Sequence, residues 1–212
     1  MYFRDRRDAG RQLCQLLEKY KDKDVVVYAL PRGGVVLGDE IANFLHAPLD
    51  LIFAHKIGHP YQPEYAVAAT SESGHIVGNP HELHSLGQPW LEREKEWQMA
   101  EIRKKRMMYL KGKTEISLQD KIAIIVDDGI ATGLTLQAGI MELRDRHPQK
   151  IVAAVPVAPK GTAELLKTMV DDFVAVEIAD DSEFLGSVSA YYREFDQVED
   201  AEVIALLDKH AK

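Results

Sequence analysis

IAIIVDDGIATGLT, residues Ile122 to Thr135, joins a short apolar run to two consecutive acids and a turn of small residues. Ile122, Ile124, Ile125 and Val126 suit a strand buried on both faces of a parallel sheet. Asp127 and Asp128 then stand at its carboxyl end, the edge at which open α/β sheets collect their ligands. From Gly129 to Thr135 the glycines let the backbone approach closely and the threonines add hydroxyl donors. The helix expected next would aim free N–H groups and its positive dipole end at an anion. Acids suited to hydroxyls, beside amides suited to phosphate, point to a sugar-phosphate ligand. A receiver domain would place its acid pair near the start of the chain, and a P-loop hydrolase would carry GxxxxGK[ST], which is absent.

Outward from this segment, apolar runs and helical periodicities alternate. Strands are expected at Asp24–Leu30, Leu49–Lys56, Lys121–Asp128, Ile151–Val157 and Phe173–Ile178. Helices are expected where Leu13, Leu16, Leu17 and Tyr20 recur, where Leu37, Ile41 and Leu45 recur, and over Gly133–Arg146 and Thr162–Met169. This order predicts a Rossmann-like, doubly wound, mainly parallel α/β sheet flanked by helices, in a single domain over residues 1–212. From His59 to Lys111 the alternation breaks off into an irregular lid and helical insertion. There Tyr65–Thr70 and His75–Val77 read as a short hairpin across Ser71–Gly74. Pro89–Leu110 reads as a charged helix with Glu92, Glu94 and Glu96 early and Arg103, Lys104, Lys105 and Arg106 late, a polarity that suits the helix dipole. Its charges form a solvated face on the simpler view; on the sharper one, its basic end covers a phosphate-rich ligand.

With 212 residues, 46% of them hydrophobic, the chain can bury one α/β core with an appendage. A formal net charge of −8 argues against a nucleic-acid surface, so anionic ligands must be met locally. Cys14 is the one cysteine, which excludes an intrachain disulfide and leads us to expect a cytoplasmic setting. Its place between Leu13 and Gln15 in a helical pattern marks it as a core residue rather than a nucleophile. The amino-terminal MYFRDRRDAG has no apolar signal segment, and no apolar run approaches the roughly 18 residues of a membrane span. No membrane partner is expected.

The Asp127–Thr135 segment closely resembles the phosphoribosyl pyrophosphate (PRPP) signature of type I phosphoribosyltransferases. That resemblance implies that Asp127 and Asp128 are the catalytic pair, holding the ribose 2- and 3-hydroxyls. It implies that Gly129, Ile130, Ala131, Thr132, Gly133, Leu134 and Thr135 wrap the 5-phosphate. The LPRGG junction from Leu30 to Gly34, between the first sheet strand and its helix, resembles the pyrophosphate loop of the same family. There Pro31, Arg32, Gly33 and Gly34 would meet the pyrophosphate, the glycines through backbone amides and Arg32 through a forked cation. A cis peptide between Pro31 and Arg32 is implied as well. His55 and Lys56 resemble the basic pair before the family's mobile catalytic loop, although His55 departs from the usual arginine. Lys56 would then be a pyrophosphate partner; otherwise it is an exposed lysine at a strand end. His59–Ala68 would be the lid that excludes water.

The family's reaction displaces pyrophosphate from ribose C1 by a nitrogenous nucleophile, through a transition state of oxocarbenium character. The resemblance therefore implies Mg2+ as cofactor, held with substrate oxygens and water near Asp127 and Asp128, with Asp180 approaching indirectly. His75, His81 and His84 match no familiar zinc spacing and read as loop histidines. Where 6-oxopurine relatives carry an aspartate near the base, this chain has Ala131. The Asp172–Phe195 stretch faintly resembles the base-binding end of those enzymes, which would put Phe173 against a base and give Val174 backbone contacts. As a strand aromatic, Phe173 is otherwise a core residue. Arg4, Arg6, Arg7 and Arg11 can cap a helix, pair with a neighbouring subunit or reach the ligand, and all three roles stand open.

The overall resemblance is to bacterial phosphoribosyltransferase-like proteins that begin with FxDRxDAG and carry VDDGIATG. It implies a homodimer whose small-molecule partners are PRPP and a base or nucleotide. A non-catalytic sensor of PRPP or a nucleotide, and a phosphoribosyl hydrolase, are the competing functions.

Overall fold

The computed structural model describes residues 2–210. In chain order its elements are α1 (Arg6–Leu16), β1 (Val25–Ala29), α2 (Gly33–Leu45), β2 (Leu49–Leu51), β3 (Ala54–His59), β4 (Gln62–Ser71), β5 (Ile76–Gly78), α3 (Pro80–Leu86) and α4 (Gln88–Leu110). The second half adds β6 (Ile122–Val126), α5 (Leu134–Arg144), β7 (Lys150–Pro159), α6 (Lys160–Lys167), β8 (Asp172–Ala179) and α7 (Asp200–Lys209). Short 3-10 turns follow α1 and precede α7.

Five parallel strands form the main sheet in the order β2-β1-β6-β7-β8. Every residue of β1 and β6 is buried, which is why both read as unbroken apolar runs in the sequence. Their side chains alternate between two cores. Val25, Val27 and Ala29 pack with α1, α2 and α7 on one face, while Val26 and Tyr28 pack with α5 and α6 on the other. This is the doubly wound, mainly parallel α/β fold that the alternation predicts. The chain leaves β1 toward β2 on one side and returns as β6 on the other, so the direction of winding reverses between β1 and β6. At such a switch point the carboxyl ends of the strands open a crevice. Ala29 pairs with Val126, so Leu30 and Asp127 leave the sheet at the same level, and Pro31 and Asp128 follow them.

One expectation needs correction. Leu49–Lys56 is not one strand: β2 ends at Leu51 in the main sheet, and after Ile52 and Phe53 the chain enters β3 of a separate antiparallel sheet ordered β3-β4-β5. Ile52 and Phe53 are fully buried and apolar, so nothing in their composition marks the crossing. His59–Ala68, the expected lid segment, forms the turn and most of the second strand of the β3–β4 hairpin. The expected hairpin across Ser71–Gly74 is present as β4–β5, and the expected charged helix is α4. Ile57, Val67, Ala68 and Leu91 form a third small core between this sheet and α4, with Trp90 against it. Cys14 is buried and free, and burial pushes its thiol up to about 11. No helix among the described residues is long and apolar enough to cross a membrane.

Candidate active site

β6 ends at Val126, and the next nine residues are built around its carboxyl terminus. Asp128 N–H donates to Asp127 Oδ1 at 2.8 Å, which fixes the first acid against the backbone of the second. The Tyr192 hydroxyl donates to the Asp128 carbonyl at 2.6 Å. Ile130 N–H donates to the Val157 carbonyl at 3.0 Å, and the Thr162 hydroxyl to the Ala131 carbonyl at 2.8 Å, so the turn is tied to β7 and α6. α5 then starts after Gly133 with no side chain capping its first turn. Its leading N–H groups, with the Thr132 and Thr135 hydroxyls nearby, are a site for an anion.

A cavity of about 760 Å3 opens over this turn. Asp127 through Gly133 and Thr135 line it together with Pro31 and Lys56, and Arg6, Phe195 and the Gly186–Ser189 loop form a wall that adjoins Asp128 and Gly129. Gly129 lies at φ 140°, and a Cβ there would come within 2.5 Å of Val188, so a side chain would prevent the loop from closing. Ala54, His55 and Gln98 complete the lining. The His55 Nδ1 and Gln98 Oε1 atoms lie 3.0 Å apart. Burial lowers the pKa of His55, with the Gln98 contact opposing, so the ring is neutral at neutral pH.

The acid pair is electrostatically loaded. Burial, then the charge of Asp128, push Asp127 well above the usual carboxylate range; burial raises Asp128 as well, against the pull of Arg6. Arg6 Nε donates to Asp128 Oδ2 at 2.7 Å, with the two side chains only 11% and 16% exposed. The same guanidinium lies 3.8 Å from the centroid of the Phe195 ring and donates through Nη1 to the Asp196 carbonyl at 2.6 Å.

The sequence-derived candidates divide accordingly. Asp127, Asp128, the turn through Gly133, Thr135, Pro31 and Lys56 converge on one cavity, while Leu134 turns away from it. The Pro31–Arg32 peptide is cis. Gly33 and Gly34 do not line the cavity but make room for the acids: a Cβ on Gly33 would lie 1.9 Å from Asp128 Oδ2, and one on Gly34 would lie 2.8 Å from the Val126 carbonyl. Arg32 faces an adjoining 90 Å3 pocket with His55 and Lys105, and its Nη1 lies 3.8 Å from Asp200. The structure thus brings one lysine of the basic α4 end to the rim of the site.

Phe173, Val174 and Asp180 are not brought to the cavity. β8 is an edge strand two positions from β6, so Phe173 packs into the α5–α6 core and Val174 into the opposite one. Asp180 pairs with Lys160 at 3.3 Å on the surface. Three contributors were not singled out from sequence: Phe195, the Gly186–Ser189 loop and Gln98. Arg6 was visible as one of four clustered arginines and as the arginine of FxDRxDAG, with no role attached to it.

The family model of the phosphoribosyl transferase domain matches residues 6–193. A "Putative phosphoribosyl transferase" of Mycobacterium tuberculosis, matched alike in strains CDC 1551 / Oshkosh and ATCC 25618 / H37Rv, is 39% identical over 213 residues, covering 98% of this chain and 46% of that protein. The chain thus spans about half the length of the curated relatives it matches. The crystal structure of TT1426 from Thermus thermophilus is 37% identical and superposes with a TM-score of 0.82, covering 100% of both chains. The AQ2163 protein from Aquifex aeolicus, 12% identical, shares the fold at a TM-score of 0.50 over 82% of this chain and 75% of that one. A family model that runs from the first turn of α1 to Arg193, through both the proline-arginine junction and the acid pair, shows that the chain belongs to the phosphoribosyl transferase domain family.

Proposed function

We propose that this domain binds PRPP with Mg2+ and transfers its ribose 5-phosphate to a nitrogenous base or similar acceptor, releasing pyrophosphate. The observation that carries this reading is the meeting, in one cavity at the β1/β6 switch point, of two half-buried carboxylates and an uncapped helix start. In this role the Thr132–Thr135 turn and the first N–H groups of α5 hold the 5-phosphate. Asp127 and Asp128 accept hydrogen bonds from the ribose 2- and 3-hydroxyls. Lys56 and the Pro31–Arg32 junction face the pyrophosphate end of the donor.

The residues present fit Mg2+. Among the described residues no group of three His, Cys, Asp or Glu side chains gathers as a metal cage. Two carboxylates beside a phosphate site suit an ion that takes most of its ligands from phosphate oxygens and water. Asp127 and Asp128 would hold it together with the donor, and bound there it would neutralise charge on the departing pyrophosphate. The chain's own contribution is positional. The acid pair lies close to where ribose C1 gains positive charge and stabilises that charge electrostatically. The β3–β4 hairpin and α4 wall off one side of the cavity from water.

Calorimetric titration with PRPP, with and without Mg2+, tests the donor assignment, and no binding in either condition would overturn it. Asp127→Asn combined with Asp128→Asn should abolish binding or turnover while leaving the circular dichroism spectrum unchanged. A pyrophosphate-release assay over purines, pyrimidines and nicotinic acid then separates transfer from sensing; release with no acceptor present identifies hydrolysis instead.

A further inference from the structure

The donor grip leaves one wall of the cavity without a role: Arg6, Phe195 and the Gly186–Ser189 loop. The chemistry of this wall is one-sided. Phe195 is the aromatic against which a base could stack, but the Arg6 guanidinium already covers its ring at 3.8 Å. Arg6 uses Nε on Asp128 and one Nη1 hydrogen on the Asp196 carbonyl, and among the described residues Nη2 has no partner. Ser187 and Ser189 line the same wall, their hydroxyls 3.0 Å apart, so one of them bonds the other and the second is free to donate. Hydrogen-bond donors therefore dominate the side chains of this wall.

We infer that Arg6 recognises the acceptor, and that the acceptor is a planar ring bearing a carboxylate. A neutral purine presents N–H groups that need acceptors, and the side-chain acceptors on this wall are limited to the Ser187 and Ser189 hydroxyls, with no carboxylate or amide among them. A carboxylate presents two acceptor oxygens to a guanidinium, the pairing for which that fork is built. At 11% exposure Arg6 has lost most of its hydration, so a charged partner gains more there than at an open surface. Its bond to Asp128 offsets the acid that would otherwise repel an incoming anion, and its flat face lets a ring lie along it. Ala131 fits this picture: the turn offers a methyl where relatives that take 6-oxopurines carry an aspartate.

The inference rests on the PRPP reading above, and its test keeps the two apart. Protein saturated with PRPP and Mg2+ is titrated with matched probes, nicotinate against nicotinamide and orotate against uracil. In at least one pair the carboxylated member should bind about tenfold more tightly or better, the value of one charged hydrogen bond. Arg6→Gln should bring that ratio close to one, and Arg6→Lys should recover part of it. A purely structural arginine would instead weaken both members of a pair alike. If PRPP itself does not bind, both the function and the inference fall. If PRPP binds but the wild-type protein prefers the neutral members, shows no preference or binds none of the four, the inference falls alone. The wild-type ratio decides the matter even where Arg6→Gln fails to fold.

Discussion

Gly33→Ala separates two physical effects of opposite sign. Gly33 is the first residue of α2, its φ lies outside the left-handed region, and alanine in a helix is ordinarily favoured by about 1 kcal/mol. Here the new methyl would meet Asp128 Oδ2 at 1.9 Å, its Cγ at 2.7 Å and Arg6 Nε at 2.9 Å. Ordinary contact begins near 3.4 Å, so the carboxylate must retreat by about 1.5 Å in a packed interior with little free volume. Oδ2 is the atom that Arg6 holds at 2.7 Å, so the ion pair is lost. Breaking a fully buried pair costs about 3–5 kcal/mol; with both side chains partly exposed, and helix propensity gained, a net loss of about 1–3 kcal/mol is expected. On the proposed donor assignment a displaced Asp128 would also give up a charged hydrogen bond to the ribose, worth about 1.5–3 kcal/mol, so PRPP should bind roughly 10- to 150-fold more weakly. Urea unfolding and calorimetric titration read the two effects. The decisive comparison is Gly33→Ala in an Asp128→Ala background, where the two carboxylate atoms are gone, only the 2.9 Å contact with the mobile Arg6 Nε remains, and most of the stability cost should vanish. An equal cost in both backgrounds would refute the steric account.

Asp39, whose side chain is only 4% exposed, accepts from Arg7 at 3.2 Å and pairs with His210 at 2.8 Å. Burial alone would raise its pKa, but the hydrogen bonds from His210 and Arg7 outweigh it and hold it below 3.8. The stability this supplies is full above pH 3.8 and is lost as pH falls through the folded pKa. His210→Ala should therefore cost about 1–3 kcal/mol at neutral pH and move acid unfolding to higher pH, and an unmoved midpoint in a circular dichroism titration would count against it. His55 has the opposite linkage: its pKa is lowered from 6.5, so the unfolded chain takes up the proton first and stability declines as pH falls below 6.5. His55→Gln should flatten that decline, and an NMR titration midpoint for His55 at or above 6.5 would refute it. Tyr192→Phe removes the hydrogen bond to the Asp128 carbonyl and should cost about 0.5–1.5 kcal/mol in urea unfolding; a stability unchanged or increased would show that bond to contribute nothing.

How much of this was legible in the sequence follows from how local each feature is. β1 and β6 declared themselves because strands buried on both faces are apolar throughout, and the acids and small residues after Val126 follow them without interruption. Phe173 shows the limit: the strand was correctly expected, but periodicity does not say where a strand sits in the sheet, and β8 lies at an edge two strands from β6. α7 carried a usable signal in Val203, Leu206 and Leu207, spaced for one buried helical face. α3 carried another in Asn79, whose side chain caps the helix before Pro80. Arg6 was marked as the arginine of FxDRxDAG, but that motif does not say what the side chain meets. Its partner Asp128 is 122 residues away, and three neighbouring arginines share its composition.

That difference in locality divides the site. The donor end is written in two short segments, each continuous with a central strand, so its geometry is inherited from the sheet. The adjoining wall is assembled from the amino-terminal residues and the 186–195 segment that precedes α7. Phe3 N–H donates to the Tyr191 carbonyl at 2.7 Å, and Arg193 and Glu194 donate back to the carbonyls of Phe3 and Arg4 at 2.9 Å. Phe3 is fully buried, with its ring 5.2 Å from that of Tyr192, so the amino-terminal strap and the 191–194 segment are packed as one unit. Arg6 and Phe195 flank this pairing and are placed by it. Its connections to the proposed donor end run through Asp128, which takes the Arg6 guanidinium on its side chain and the Tyr192 hydroxyl on its carbonyl, and through Val188, which lies against Gly129. A substitution in the strap should therefore alter what lies against Arg6 more than what lies over the α5 turn. The proposed donor site and the wall beside it are free to vary separately, except at Asp128 and at the Gly129–Val188 contact, where a change in either is felt by both.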